Sequence, residues 1–301
     1  MKKTKISILG GDLRNLTVAK SLLKSDYDIN IFGLDNLSQR LDDAYYCQTL
    51  SEALEMAEYT VLPLPASVDG FSLNSPMLSS KEKISLIDII DILKPHTYLL
   101  GGKIPSKATE YAQKKEIKVI DFFNTEDFQI KNAYITAEAA ISIAMNSLNR
   151  TLKNSNVAIT GFGRISKQLV KLLNDIGANV TVAARSDVDL CWAESLGCST
   201  VKIGGDTTKE KLYAFCKGYD IIYNTVPVWL FDRDFLEKME KKTFIIDLAS
   251  APGGVDICAA KELERNVLWA TSLPGKYAPE SAGDLIGECI KKLICGKGDV
   301  L

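Results

Sequence analysis

Histidine is almost missing from this chain: His96 is the only one in 301 residues. The seven cysteines are scattered with no C-x-x-C pair, so neither residue type offers the ligand spacing of a catalytic zinc site. No G-x-S-x-G or similar nucleophile elbow occurs, which removes the strand–turn–helix serine hydrolases. No uninterrupted apolar run approaches the roughly 18 residues of a membrane-crossing helix. Met1-Lys2-Lys3-Thr4-Lys5 leads into a short strand without the apolar segment of a signal peptide. Neither sign of charge dominates, since 36 Lys and Arg against 38 Asp and Glu give a net charge of −2. Neither nucleic acid nor a membrane is therefore expected as a partner held by bulk charge. The scattered thiols are expected to be reduced, as in a cytoplasmic protein.

What is present is an ordinary globular composition, 46% hydrophobic and 25% charged, in a chain long enough for two domains of about 150 residues. The most informative stretch runs Val157-Ala158-Ile159-Thr160-Gly161-Phe162-Gly163-Arg164-Ile165-Ser166. An apolar strand, a glycine turn and a helix start follow one another, and an amphipathic face continues through Leu169, Val170, Leu172 and Leu173. The first glycine permits the turn; the second lets the backbone approach a pyrophosphate at the positive helix N-terminus. Ser166 stands where the fingerprint has its third glycine, a position that serves close packing and accepts a small residue. A second strand, Val180-Thr181-Val182-Ala183-Ala184, ends in Arg185-Ser186. NAD-linked enzymes place an acid there for the ribose 2′-hydroxyl; an arginine suits a 2′-phosphate instead, which makes NADP the expected cofactor.

The first half repeats this grammar. Lys5-Ile6-Ser7-Ile8-Leu9 leads to Gly10-Gly11-Asp12-Leu13-Arg14, then to an apolar helix face and a strand at Ile29-Asn30-Ile31-Phe32-Gly33. Overlaying Gly10 on Gly161 puts Asp12 where Gly163 stands. A carboxylate there repels a pyrophosphate and fills its space, so this half is expected to keep the fold without the dinucleotide.

Further strands are expected at 59–63, 96–102 and 118–121, with helices near 51–58, 80–93 and 107–115 between them. Such alternation predicts two doubly wound, Rossmann-like α/β domains with mostly parallel sheets. The expected organisation is a substrate domain over 1–130, an interdomain helix over 131–152, an NADP-binding domain over 153–278 and a C-terminal helix over 279–301 returning to the first domain. Loops rich in proline and glycine fall at strand ends: Pro63-Leu64-Pro65, Gly101-Gly102-Lys103, Ala251-Pro252-Gly253-Gly254 and Leu273-Pro274-Gly275-Lys276. Carboxyl ends of parallel strands are where such sheets bind ligands, and a cleft between the domains is expected there.

At these loops the chain resembles the dipicolinate synthase A-subunit family. The residues carrying the resemblance are Gly10-Gly11-Asp12-x-Arg14, Leu62-Pro63-x-Pro65, Thr136-Ala137-Glu138, Gly161-x-Gly163-Arg164, Ala184-Arg185-Ser186 and Asn224-Thr225-x-Pro227. Ile246-Asp247-Leu248-Ala249-Ser250-x-Pro252-Gly253-Gly254-x-Asp256 and Leu273-Pro274-Gly275-x-x-Ala278-Pro279-x-Ser281-Ala282-Gly283 extend it to nearly the whole chain. Departures fall at Ile135, Ala139, Ser166 and Ser281. The resemblance implies NADP-linked oxidation of a cyclic dihydrodipicolinate to aromatic pyridine-2,6-dicarboxylate during sporulation, in the mother-cell cytoplasm. It also implies a separately encoded partner, the flavoprotein-like B-subunit of dipicolinate synthase; a homo-oligomer is left open.

That chemistry asks the protein to orient a small dicarboxylate, balance its charge and accept a proton. Arg14 is the preferred carboxylate clamp, its alternative being a salt bridge to Asp12; Asp12, Lys103 and Thr136 complete the expected substrate set. Thr136 also reads as the N-cap of the long helix. Glu138 and Lys276 are the candidates for proton transfer, against a helix-dipole role for Glu138 and plain solvation for Lys276. His96, just after Pro95 where a strand begins, reads as structural. Cofactor contacts are expected from Gly161, Gly163, Arg164, Ile165, Arg185, Ser186, Asn224, Thr225, Pro227, Ala249 and Ser250. Two other readings remain: another NADP-dependent dehydrogenase of a small carboxylate, or a non-catalytic protein that senses NADP. Membership of the D-2-hydroxyacid dehydrogenases is disfavoured because no histidine follows His96.

Overall fold

Short apolar runs alternating with amphipathic stretches build strands and helices whose order fixes the sheet. The computed structural model describes residues 3–80, 82–205 and 208–296. They form two α/β units, one taking in the chain up to Asn132 and again from Ala278, the other Ala133–Tyr277.

In the first unit, β1 (Lys5–Leu9) is followed by α1 (Leu13–Leu23), β2 (Asp28–Phe32), β3 (Tyr45–Tyr46), α2 (Leu50–Leu54) and β4 (Tyr59–Val61). Then come α3 (Leu86–Ile92), β5 (Tyr98–Gly101), α4 (Ser106–Lys114) and β6 (Lys118–Asp121). The sheet order is β3-β2-β1-β4-β5-β6. Helix α5 spans Glu126–Ser147. In the second unit, β7 (Asn156–Thr160), α6 (Arg164–Ile176), β8 (Asn179–Ala184), α7 (Asp187–Ser195), β9 (Ser199–Lys202) and α8 (Thr208–Leu212) are followed by β10 (Ile221–Asn224). The chain continues through α9 (Arg233–Lys238), β11 (Phe244–Asp247), α10 (Ile257–Glu262), β12 (Val267–Trp269) and α11 (Leu273–Tyr277). Its sheet order, β9-β8-β7-β10-β11-β12, is the same topology, and every pairing within both sheets is parallel. The central strands β1 and β7 are buried at successive residues, Ile6–Leu9 and Val157–Thr160, because both sheet faces are covered.

Helix α12 (Pro279–Cys295) packs along α1. Small residues set the approach: a Cβ on Gly283 would lie 2.6 Å from the carbonyl oxygen of Arg14, and one on Gly287 would lie 2.9 Å from Ser21 Cβ.

Several expected boundaries are corrected. The long helix occupies Glu126–Ser147 rather than 131–152. Its start has Thr125 ahead of acidic Glu126 and Asp127, and the hydrogen bond with Thr125 is the main cause that holds the Asp127 carboxyl below its ordinary range. Its end comes at Asn146-Ser147, whose side chains compete for backbone groups. Thr136 is therefore not an N-cap: it sits buried in mid-helix, and Glu138 is too far from the N-terminus to serve the helix dipole. The helix expected over 80–93 is confined to Leu86–Ile92, capped by Ser85 accepting from Ile87 N at 3.1 Å. Leu273-Pro274-Gly275-Lys276, expected as a loop, lies within α11. His96 precedes β5 in an exposed turn at φ 67°, its Nε2 3.5 Å from Glu116 Oε2.

Candidate functional site

The β7–α6 turn of the second unit is built around its two glycines for different reasons. Gly161 has φ +85°, and a Cβ there would lie 2.7 Å from Thr225 Oγ1 and 2.9 Å from Val226 Cγ2. The fold itself requires this glycine. Gly163 has φ −81°, open to any residue, and a Cβ there would meet nothing within 4 Å. It is the N-cap of α6 and provides no side-chain acceptor, and the space a Cβ would occupy there is clear among the described residues at the start of the helix. An anionic group approaching the backbone is what such a turn accommodates. Ile165 is half-buried against the core, while Arg164 is exposed. Ser166, fully buried, meets Thr225 Oγ1 at 2.9 Å. Because Thr225 spends its hydrogen on the Thr160 carbonyl at 2.8 Å, Ser166 is the donor.

Beneath this turn a polar ladder crosses three adjacent strands. Thr160 Oγ1 donates to Asn224 Oδ1 at 2.6 Å, and Asn224 Nδ2 donates to Asp247 Oδ1 at 2.7 Å. All three residues are buried. Asp247 also accepts from Ala249 N at 3.1 Å and Gly254 N at 2.8 Å, and Asn224 closes on both backbone groups of Val226. A buried carboxylate is tolerable when its oxygens are filled by donors, and here these are the Asn224 amide at the end of β10 and two backbone amides of the loop that leaves β11. Asn224, Thr225, Ala249 and Asp247 are thus the framework of this sheet's carboxyl edge, while Pro227 and Ser250 are exposed on it. Sequence reasoning passes over Thr160 and Asp247 as site residues because each lies far along the chain from Asn224, by 64 and 23 positions.

At the end of β8, Arg185 is exposed with its Cγ within 3.7 Å of a Cβ built on Gly204, and it has no ion-pair partner among the described residues. Ser186 caps α7, accepting from Asp189 N at 3.3 Å. Asp187 is neutralised by Lys202, whose Nζ lies 2.6 and 2.7 Å from its two oxygens. An uncommitted cation follows the strand on which fingerprint enzymes carry their ribose-reading residue.

In the first unit the β1–α1 turn is filled. Asp12 caps α1 by accepting from Arg14 N at 3.0 Å, and the Arg14 fork pairs with it through Nε at 2.9 Å and Nη2 at 2.8 Å. Arg14 is buried, and Nη1 is the arm that Asp12 leaves over. Lys103 is exposed at φ 54°; its N–H donates to Asp121 Oδ1 at 3.0 Å and its Nζ lies 4.6 Å from the Phe123 ring centre. Thr136, buried in α5, and Glu138, exposed on it, belong to the second unit, as does exposed Lys276 on α11. Neither Glu138 nor Lys276 has an ion-pair partner among the described residues. Those residues contain no group of three or more His, Cys, Asp or Glu placed to hold a metal, and no helix long and apolar enough to cross a membrane.

Residues 5–123 match the family model described as the N-terminal domain of the dipicolinate synthase A-subunit. The chain is 30% identical over 290 residues to the dipicolinate synthase A-subunit of Bacillus subtilis (strain 168), covering 96% of this chain and 95% of that one. The crystal structure of the Bacillus subtilis A-subunit matches at TM-score 0.83 and 28% identity, over 98% of this chain and 97% of that one. That of the dipicolinate synthase A-subunit from Bacillus halodurans matches at TM-score 0.83 and 26% identity, over 97% of each chain.

Proposed function

Since the chain belongs to the dipicolinate synthase A-subunit family, we propose that it oxidises a cyclic dihydrodipicolinate to pyridine-2,6-dicarboxylate, using NADP and working with a flavoprotein-like B-subunit in the mother-cell cytoplasm during sporulation. The observation that carries the cofactor reading is the pair Gly163 and Arg185. Among the described residues nothing requires glycine at 163, whereas a pyrophosphate at the α6 N-terminus does, and Arg185, without an ion-pair partner among those residues, suits a 2′-phosphate.

NADP, when bound, supplies the hydride acceptor; the ring loses one hydride and one proton and gains aromaticity. The residues of this chain hold and orient. Gly161, Gly163, Arg164 and Ile165 present the turn and the helix N–H groups, and Arg185 with Ser186 reads the ribose end. Asn224, Thr225, Pro227, Ala249 and Ser250 line the carboxyl edge of the sheet. Arg14, Asp12, Lys103 and Thr136 are assigned to the dicarboxylate, and Glu138 or Lys276 to the departing proton.

The test is a coupled assay in which dihydrodipicolinate is generated in situ with NADP. Dipicolinate and NADPH absorbance should rise together, with this chain alone or on adding the B-subunit. Tight nucleotide binding without turnover in either mixture would leave a nucleotide sensor instead. Arg185→Asp should weaken NADPH far more than NADH, by about 2–3 kcal/mol, or roughly a hundredfold in affinity. Equal losses for both nucleotides refute the 2′-phosphate assignment.

A further inference from the structure

Asn15 is only 3% exposed and its carboxamide makes no hydrogen bond with any described residue, while its oxygen and nitrogen still reach the surface of the turn. Side chains this buried are paired within the protein in the great majority of cases. Asn30, equally buried at 3%, shows the ordinary outcome: its Nδ2 donates to the Ala53 carbonyl at 3.1 Å. Asn15 sits at the third position of α1, where a polar side chain can reach back to the cap amide. That bond is not made. The carboxamide instead packs against Gly11, where a Cβ would collide with its Oδ1 and Cγ and lie 2.9 Å from Nδ2. Gly11 takes φ +88° beside it, so the turn keeps a glycine to make room for this amide.

The neighbours define the ligand. Arg14 keeps Nη1 after Asp12 has taken Nε and Nη2. The N–H of Leu13, first in the helix, has no intrahelical acceptor. With Asn15 Nδ2 these are three donors on one turn, at the positive end of an 11-residue helix. Asp12 stands at the point of closest approach and keeps a dinucleotide out, which leaves a small anion.

We infer that Asn15 donates to one carboxylate of the dicarboxylate substrate, beside Arg14, and is the substrate-positioning residue of the first unit. The inference rests on the dicarboxylate reading above. Titration calorimetry on the full chain with pyridine-2,6-dicarboxylate separates the two. Asn15→Ala should weaken the dicarboxylate by at least about tenfold, ~1.4 kcal/mol, and leave NADPH affinity within about twofold. Asn15→Asp, which keeps the shape but replaces the donor with a charge, should weaken it further; it decides the matter should the alanine variant melt early. Wild type binding the dicarboxylate while both variants match it overturns the role of Asn15 alone. So does a lowered melting temperature in both variants with affinity unchanged. Failure of the wild type to bind any dicarboxylate overturns the reading beneath it.

Discussion

At Gly10-Gly11-Asp12 the Asn15 carboxamide packs against Gly11 and the capping residue is a carboxylate paired with Arg14; at Gly161-Phe162-Gly163 the cap, Gly163, offers no side chain and a Cβ on it would meet nothing within 4 Å among the described residues. The strands beneath differ in the same sense. Leu9, Leu62 and Gly101 of the first unit occupy the positions that Thr160, Asn224 and Asp247 occupy in the second, given the pairings Ile8 with Val61 and Val61 with Leu100. One unit carries an apolar layer where the other carries a buried polar ladder. A shared topology therefore fixes where a ligand edge lies, while three or four side chains decide what it holds.

The largest effect should come from moving the first unit's chemistry into the second. Gly163→Asp has room for its Cβ, so the fold should survive. A carboxylate about 4 Å from a pyrophosphate charge costs roughly 4 kcal/mol at an effective dielectric near 20, close to a thousandfold in affinity. Fluorescence titration with NADPH should show binding lost while the melting temperature holds; retained binding would separate Gly163 from the cofactor. Gly161→Ala is the contrasting variant. At φ +85° and against Thr225 it should cost about 1–3 kcal/mol of stability, read as a fall of roughly 2–12 °C in melting temperature.

The next comparison concerns the ladder, which also marks where sequence reading stops. The glycine turns, the central strands and the arginine after β8 are legible because each is local: a short apolar run, a residue that frees the backbone, a cation a fixed distance on. The Thr160–Asn224–Asp247 ladder depends on which strands adjoin and in what register, and no periodicity within one strand carries that. Asn15 is hidden for a related reason, since its spacing in α1 is ordinary and only the packed turn shows its amide against Gly11 with no partner among the described residues. The long helix is misplaced in sequence because the apolar face at 141–148 outweighs the weaker start signal at Thr125. Asn224→Leu, which imports Leu62 of the first unit, leaves Thr160 and Asp247 buried without their partner. A loss of about 2–4 kcal/mol is expected, measured by urea denaturation. A loss below about 0.5 kcal/mol, the usual range for surface changes, would show that the ladder is replaceable by packing alone.

The smallest effect separates packing from recognition at the third fingerprint position. Ser166 lies in α6, fully buried, and among the described residues its hydroxyl reaches the carboxyl edge of the sheet through Thr225. Ser166→Gly restores the fingerprint glycine but removes one hydroxyl hydrogen bond and adds a helical glycine, together about 1–1.5 kcal/mol of stability. Nothing that presents the turn is altered, because Gly161 and Thr225 are held by the Thr160 carbonyl and by β8 independently of Ser166. NADPH affinity should therefore stay within about twofold of wild type, well under 1 kcal/mol. If affinity fell with stability, the serine would be orienting the α6 N-terminus toward the dinucleotide, and the clear space at the second unit's turn would not suffice without that side chain.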